Sequence, residues 1–281
     1  MENGCIGCRG DKDKIGVLVA QLGTPDAPTK KALYPYLKQF LGDPRIIEKP
    51  RLLWWLILNC IILPLRPKKS AALYARIWTD EGSPLRIYTE KQTELLEQRL
   101  KKVSSSIEVV HGMRYGGPSL PDAIDDLISR GCSKILLFNI HCTETSAALI
   151  PKLNFPKDKI IHTYQSRFGK DPWLVPYTDE TIDALAQEGV KKIVVACPGF
   201  TADCLETLDE MGNEAEESFV ENGGEKLELL ACLNEQLPWI DAMEEIVCEE
   251  LGSWLKTAKR VESSESCAVL CPVKENKKAL S

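Results

Sequence analysis

Short, unbroken apolar runs separated by amphipathic stretches are the feature that most restricts the fold of this chain. The runs span residues 15–20, 107–112, 134–139, 159–164, 192–196 and 226–233. Between them the apolar spacing predicts helices over 29–41, 52–63, 69–78, 86–102, 120–130, 142–153, 179–188 and 237–256. Another helix, acidic, follows the turn after residue 196 and runs to about residue 221. Strands that are apolar throughout are buried on both faces, and strand–helix alternation builds parallel sheets clad by helices. In open sheets of this class, ligands bind beyond the carboxyl ends of the strands. The turn after the first strand, Met113-Arg114-Tyr115-Gly116, the loop 165–173 and the turn 197–206 therefore converge on one side of the fold.

A length of 281 residues allows one large or two medium α/β domains, and 44% apolar with 27% charged residues is ordinary for a soluble protein. The formal net charge of −6 argues against a nucleic-acid partner. Eleven cysteines with no apolar leader ahead of them predict a reducing, cytosolic setting and free thiols. The longest apolar run, 52–65, is too short to cross a bilayer, and Arg66, Lys68 and Lys69 follow it. A core helix, the lip of an apolar pocket and an interfacial segment all fit it. Pro64 and Pro67 are expected to break the helix there, and Pro35 to bend or delay the helix over 29–41. Residues 1–13 and 257–281 read as polar tails outside the folded part.

The stretch Cys197-Pro198-Gly199-Phe200-Thr201-Ala202-Asp203-Cys204-Leu205-Glu206 leaves a strand and opens the acidic helix. Along it Glu206, Glu210 and Glu214 recur every four residues, which places them on one helical face. Such a row is either a solvated acidic face capped by Asp203 or a path that carries a cation or protons into a cleft. Arg114 and Tyr115, at a strand end, offer guanidinium and phenol donors to a carboxylate. Trp173 and the Trp54–Trp55 pair offer flat apolar surface. Cys5, Cys8, Cys267 and Cys271 are spaced for a metal or iron–sulfur cluster only if the two termini meet, and no prosthetic group is expected.

These stretches together resemble the ferrochelatase family. The resemblance rests on Leu22-Gly23-Thr24-Pro25, Phe40-Leu41-Gly42-Asp43-Pro44-Arg45, Tyr74 through Gly82-Ser83-Pro84-Leu85, Met113-Arg114-Tyr115-Gly116, Gln165-Ser166-Arg167-Phe168-Gly169 with Pro172-Trp173, Pro176-Tyr177-Thr178-Asp179-Glu180, and the segment 197–206. It covers roughly residues 14–255, in order. It implies a chelatase-like α/β fold of two Rossmann-like parallel-sheet halves, 14–140 and 141–256, with a porphyrin cleft between them. The implied reaction inserts ferrous iron, a substrate, into protoporphyrin IX to form protohaem. Residues 52–66 become an apolar lip, in peripheral contact with a membrane in a cytoplasmic protein. Glu206 is the implied metal-site carboxylate, with Glu210 and Glu214 as the catalytic acidic row behind it. Tyr74, Arg114, Tyr115, Ser166 and Trp173 are the implied porphyrin contacts.

The chain departs from that pattern in one place. The family's Ser-Phe-His-Gly loop, whose histidine faces the carboxylate equivalent to Glu206, has no counterpart here. Several dozen residues are missing near Ile140–His141, including the first strand of the second half. His141 and His111 are candidate replacements for the lost histidine, and strand 134–139 is a candidate replacement for the lost strand. The alternative activity is a family member that binds porphyrin or haem without turning it over, because the loss removes a base together with its geometry. A chelatase for another divalent metal is the third reading.

Overall fold

The computed structural model describes residues 14–47, 49–139, 156, 159–165 and 174–258. The chain is α/β, and its described residues form two parallel sheets. The first comprises β1 (Lys14–Gly23), β2 (Ile107–Tyr115) and β3 (Cys132–Asn139) in the order β2-β1-β3. β1 is the central strand: Val17 aligns with Val109 on one side and Leu136 on the other. Its alternate residues feed two cores, as the period-2 geometry of a strand requires. Ile15, Val17 and Val19 pack with α4 (Pro84–Val103) and α8 (Leu237–Ala258), against Leu96, Leu100, Ile240, Met243 and Leu251. Leu18 packs on the other face with Ala123 and Leu127 of α5 (Leu120–Ser129). Ser119 and Asp122 close a capping box at the start of α5, so that this helix begins where the strand–helix connection demands.

The second sheet pairs β4 (Lys192–Val195) with β5 (Lys226–Leu229), Ile193 opposite Leu227. One face is covered by α6 (Thr178–Gln187) and α7 (Ala215–Glu221), through Ile182, Ala186 and Phe219. Val194, on the other face, is exposed. α8, although last in the chain, packs on the first sheet and so ties the two halves together.

Several expectations change. β3 pairs with β1 and stays in the first sheet, so it does not replace a strand of the second half. Residues 159–164 form no strand: Tyr164 makes an isolated bridge to Tyr177, because Tyr164 N–H donates to Pro176 O and Thr178 N–H to Tyr164 O without a longer ladder. Pro64 and Pro67 do not break the helical run, which continues from α2 (Arg51–Ile57) through a π-helical segment, π1 (Leu58–Ile62), into α3 (Leu63–Ile77). The Leu63 N–H donates five residues back, to Leu58 O, which restarts the winding just before Pro64. Pro64 then sits in a first turn, where its missing N–H needs no partner. Pro35 likewise lies inside α1 (Lys30–Gly42) without ending it. The helix expected over 142–153 lies outside the described residues.

Candidate active site

The motif segments meet around one small cavity. Gln21–Thr24 at the end of β1, Tyr74 of α3, Ser83 and Leu85 at the start of α4, Gly199–Ala202 and Cys204–Glu206 line it. Its volume is about 30 Å³, room for about one water. It is a void beside Glu206. Thr24 Oγ1 and Ser83 Oγ are 2.7 Å apart, which joins two of the motif stretches through a buried hydroxyl pair. Gly23 is required there: its φ is +113°, and a Cβ would lie 1.8 Å from Tyr115 O.

Glu206 is the one carboxylate among the described residues of that lining. The groups around it are held neutral. Burial pushes the Tyr36 and Tyr74 phenols up, and the nearby Glu206 charge adds to this. Burial and the Glu206 carboxylate raise the Cys204 thiol as well. The Tyr36 hydroxyl donates to Gly23 O at 3.3 Å, and its ring meets Tyr74 edge-on at 6.3 Å.

Behind Glu206 the backbone is not α-helical. Residues Glu206–Glu214 form a π-helix, π2, closed by a bond from Ala215 N–H to Glu210 O, five residues back. Such windings are rare and usually span one turn. Glu206 and Glu210 are half-buried and Glu214 is exposed, so the row runs from the cavity wall to the surface. Burial raises the Glu210 pKa, Gln165 lowers it in part, and the charges of Glu206, Glu214 and Asp209 raise it further. Gln165 Nε2 donates to both Glu206 O (2.7 Å) and Glu210 Oε2 (3.0 Å). Among the described residues no three His, Cys, Asp or Glu side chains converge to hold an ion, so the row is a ladder and not a cage.

Asp203 does not cap this helix. The residue before π2 is Leu205, which makes no side-chain cap. The Asp203 carboxylate turns into the core, where it accepts from Cys232 N–H (3.1 Å), Asn234 Nδ2 (2.7 Å) and Thr207 Oγ1 (3.4 Å). Gln92 of α4 reaches the same knot through Thr201 O and Asn234 O. These bonds fix the 200–206 turn against the first half, and burial pushes the neighbouring Cys197 thiol up to about 11.

Three further observations concern the wall of the first half. Arg114 and Tyr115 both meet Asp43 Oδ2, at 2.5 Å and 3.0 Å. Asp43 is held well below the usual carboxylate range, first by the Arg45 N–H and then by Arg114 and Tyr115. Arg114 keeps a partly exposed guanidinium, whereas Tyr115 is buried against Phe40, its ring centroid 5.1 Å away, and does not line the cavity. His111 stands elsewhere: it is 4.0 Å from Glu90, its imidazole lowered by burial, and it lines a separate cavity of about 250 Å³ with Asp122, Asp126 and Arg130. It therefore does not replace the lost histidine.

Comparison with known proteins decides the family. The family model described as ferrochelatase matches residues 14–141 and again 137–251. The chain belongs to the ferrochelatase family. A ferrochelatase of Idiomarina loihiensis is 38% identical over 328 positions, covering 87% of this chain and 90% of the relative. One of Teredinibacter turnerae is 36% identical over 351 positions, covering 94% and 96%. One of Janthinobacterium is 36% identical, covering 87% and 89%. The Idiomarina alignment takes in 87% of 281 residues, about 244, so roughly 80 of its 328 positions face no residue here. The two matched segments meet at 137–141, the junction where the sequence departs from the family pattern. In this ferrochelatase-family chain, Glu206, Glu210, Glu214 and Tyr74 come together, and Arg114 with Tyr115 forms a separate group on Asp43. Ser166, Trp173, His141 and the four terminal cysteines lie outside the described residues. The Asp203 knot and the neutral Tyr36–Tyr74–Cys204 surround went unforeseen, because they join residues distant in sequence and carry no local spacing signal.

Proposed function

We propose that this chain performs its family's reaction, inserting ferrous iron into protoporphyrin IX to give protohaem. What carries the reading is the lone carboxylate of Glu206 at the cavity wall, backed by a row that reaches the surface. Iron enters a porphyrin only after shedding its water, so oxygen ligands must replace that shell, and Glu206 is the residue assigned to do so. Two pyrrole protons must leave, and a carboxylate with a raised pKa accepts them more readily than an ordinary one. Glu210 has such a pKa, and Glu214 passes protons to solvent. With Tyr36, Tyr74 and Cys204 neutral, Glu206 is the one carboxylate among the described lining residues to meet the cation. Arg114, partly exposed, is assigned to a propionate of the porphyrin, with Tyr115 and Asp43 holding it in place. By family resemblance Ser166 and Trp173 complete the porphyrin contacts, and residues 14–140 and 141–256 form the two halves.

The apolar segment from α2 to the start of α3 is assigned to a membrane surface. Leu52, Trp55, Ile61 and Leu65 are exposed, and Arg66 and Lys68 adjoin them. No helix among the described residues is long and apolar enough to cross a membrane. The contact we assign is peripheral, in a cytoplasmic protein.

The test is to mix purified protein anaerobically with ferrous iron and protoporphyrin IX. The expected result is multiple-turnover loss of porphyrin fluorescence with matching growth of haem absorbance. Tight porphyrin binding without turnover would replace this reading with that of a non-catalytic binder.

A further inference from the structure

The acidic row is held from outside its own half. Arg76, in the last turn of α3, places Nε 3.1 Å from Asp209 Oδ1 and Nη2 3.3 Å from Glu217 Oε1. Asp209 is 1% exposed, and Asn213 Nδ2 donates to the same Oδ1 at 2.9 Å. One guanidinium thus bridges the middle of π2 and the first turn of α7. Its planar fork suits two acceptors about two turns apart, which an ammonium does not match. Arg76 also stands two residues after Tyr74, and Asp209 directly precedes Glu210. The same helix therefore supplies a wall of the cavity and the grip on the row.

An i→i+5 winding persists only where its surroundings over-determine it. Relaxation of π2 to α-helix would rotate Glu206 and Glu210 relative to the cavity. We propose that Arg76 is a positioning residue: through Asp209 and Glu217 it locks the π winding that aims Glu206 and Glu210, and so couples α3 to the chemistry. The proposal rests on the function assigned above.

The experiment compares wild type, Arg76→Met, Arg76→Lys and Asp209→Asn by amide hydrogen exchange and by steady-state iron insertion. In Arg76→Met, exchange over 206–214 should quicken about tenfold or more while β1 stays protected. Its kcat should fall about 10- to 100-fold with the porphyrin KM within about threefold, as expected when a group is misplaced and binding persists. Arg76→Lys, which keeps a cation at Asp209, should recover part of both. Asp209→Asn should behave like Arg76→Met and stands in for it should that variant not fold. Unchanged exchange over 206–214 overturns the proposal, as does lost protection with unchanged kcat. Should the wild type itself not turn over, the functional assignment fails, and the exchange data alone then decide whether Arg76 holds π2.

Discussion

In the first sheet Val17 and Val19 are wholly buried under α4 and α8, whereas in the second Val194 is 64% exposed. Two strands clad on both faces, β1 and β2, with Leu137 of the edge strand β3 58% exposed, stand against two strands clad, among the described residues, on one. The Idiomarina relative has roughly 80 positions that face no residue here, and the two family matches meet at 137–141, between β3 and β4. The contrast separates two tasks. The first half is a scaffold whose core is completed by α8, a helix from the far end of the chain. The second half carries the acidic row and leans on the first through Arg76, Gln92 and the Asp203 knot.

That division predicts a gradient of mutational cost. Leu96→Ala, at a fully buried position between α4 and β1, should lower global stability by about 2–5 kcal/mol, read from chemical denaturation. A cost below about 1 kcal/mol would mean that the first core is not the scaffold. Native-state amide exchange should next show β1 opening only with global unfolding, and β4 and β5 opening at lower free energy, by about 1–3 kcal/mol. Equal protection of both sheets would erase the contrast.

Glu210→Gln sharpens it by a smaller amount. The folded pKa of Glu210 is raised, so the fold favours its protonated form, and the residue costs stability once the pH exceeds the folded value. Below the ordinary glutamate range that penalty vanishes. The variant should therefore be more stable than wild type at neutral pH, by about 0.5–1 kcal/mol, with the gain shrinking as pH falls. A gain independent of pH would assign it to packing and not to charge. Last, Val194→Ala on the open face should change stability by less than about 0.5 kcal/mol. A larger loss would show that this face is covered.

Much of this architecture is legible in the sequence, for local reasons. The apolar runs at 15–20 and 107–112 became strands buried on both faces, and the run at 134–139 became the edge strand beside them, with Leu137 left exposed. The run at 159–164 satisfies the same local rule, yet Tyr164 finds only a single bridge, because a strand also needs a neighbouring edge at the right register. The four-residue spacing of Glu206, Glu210 and Glu214 placed them near one another, but the spacing does not distinguish α from π winding. Proline rules predicted a break at Pro64 that a single π turn absorbed. Arg76 and Asp209 lie 133 positions apart in sequence, and no local pattern announces such a pair. Arg114 and Tyr115 were foreseen as donors to a carboxylate, and in the fold they meet one from the chain itself, Asp43.

We propose that the row on π2 takes up iron and releases protons in the order in which it leaves the cavity. Single-turnover insertion rates for Glu206→Gln, Glu210→Gln and Glu214→Gln, measured anaerobically by the loss of porphyrin fluorescence, test it most directly. The expected losses are graded: about 10²–10⁴-fold at Glu206, smaller at Glu210, and smallest at the exposed Glu214. Equal rates in all three variants, or the largest loss at Glu214, would contradict the account.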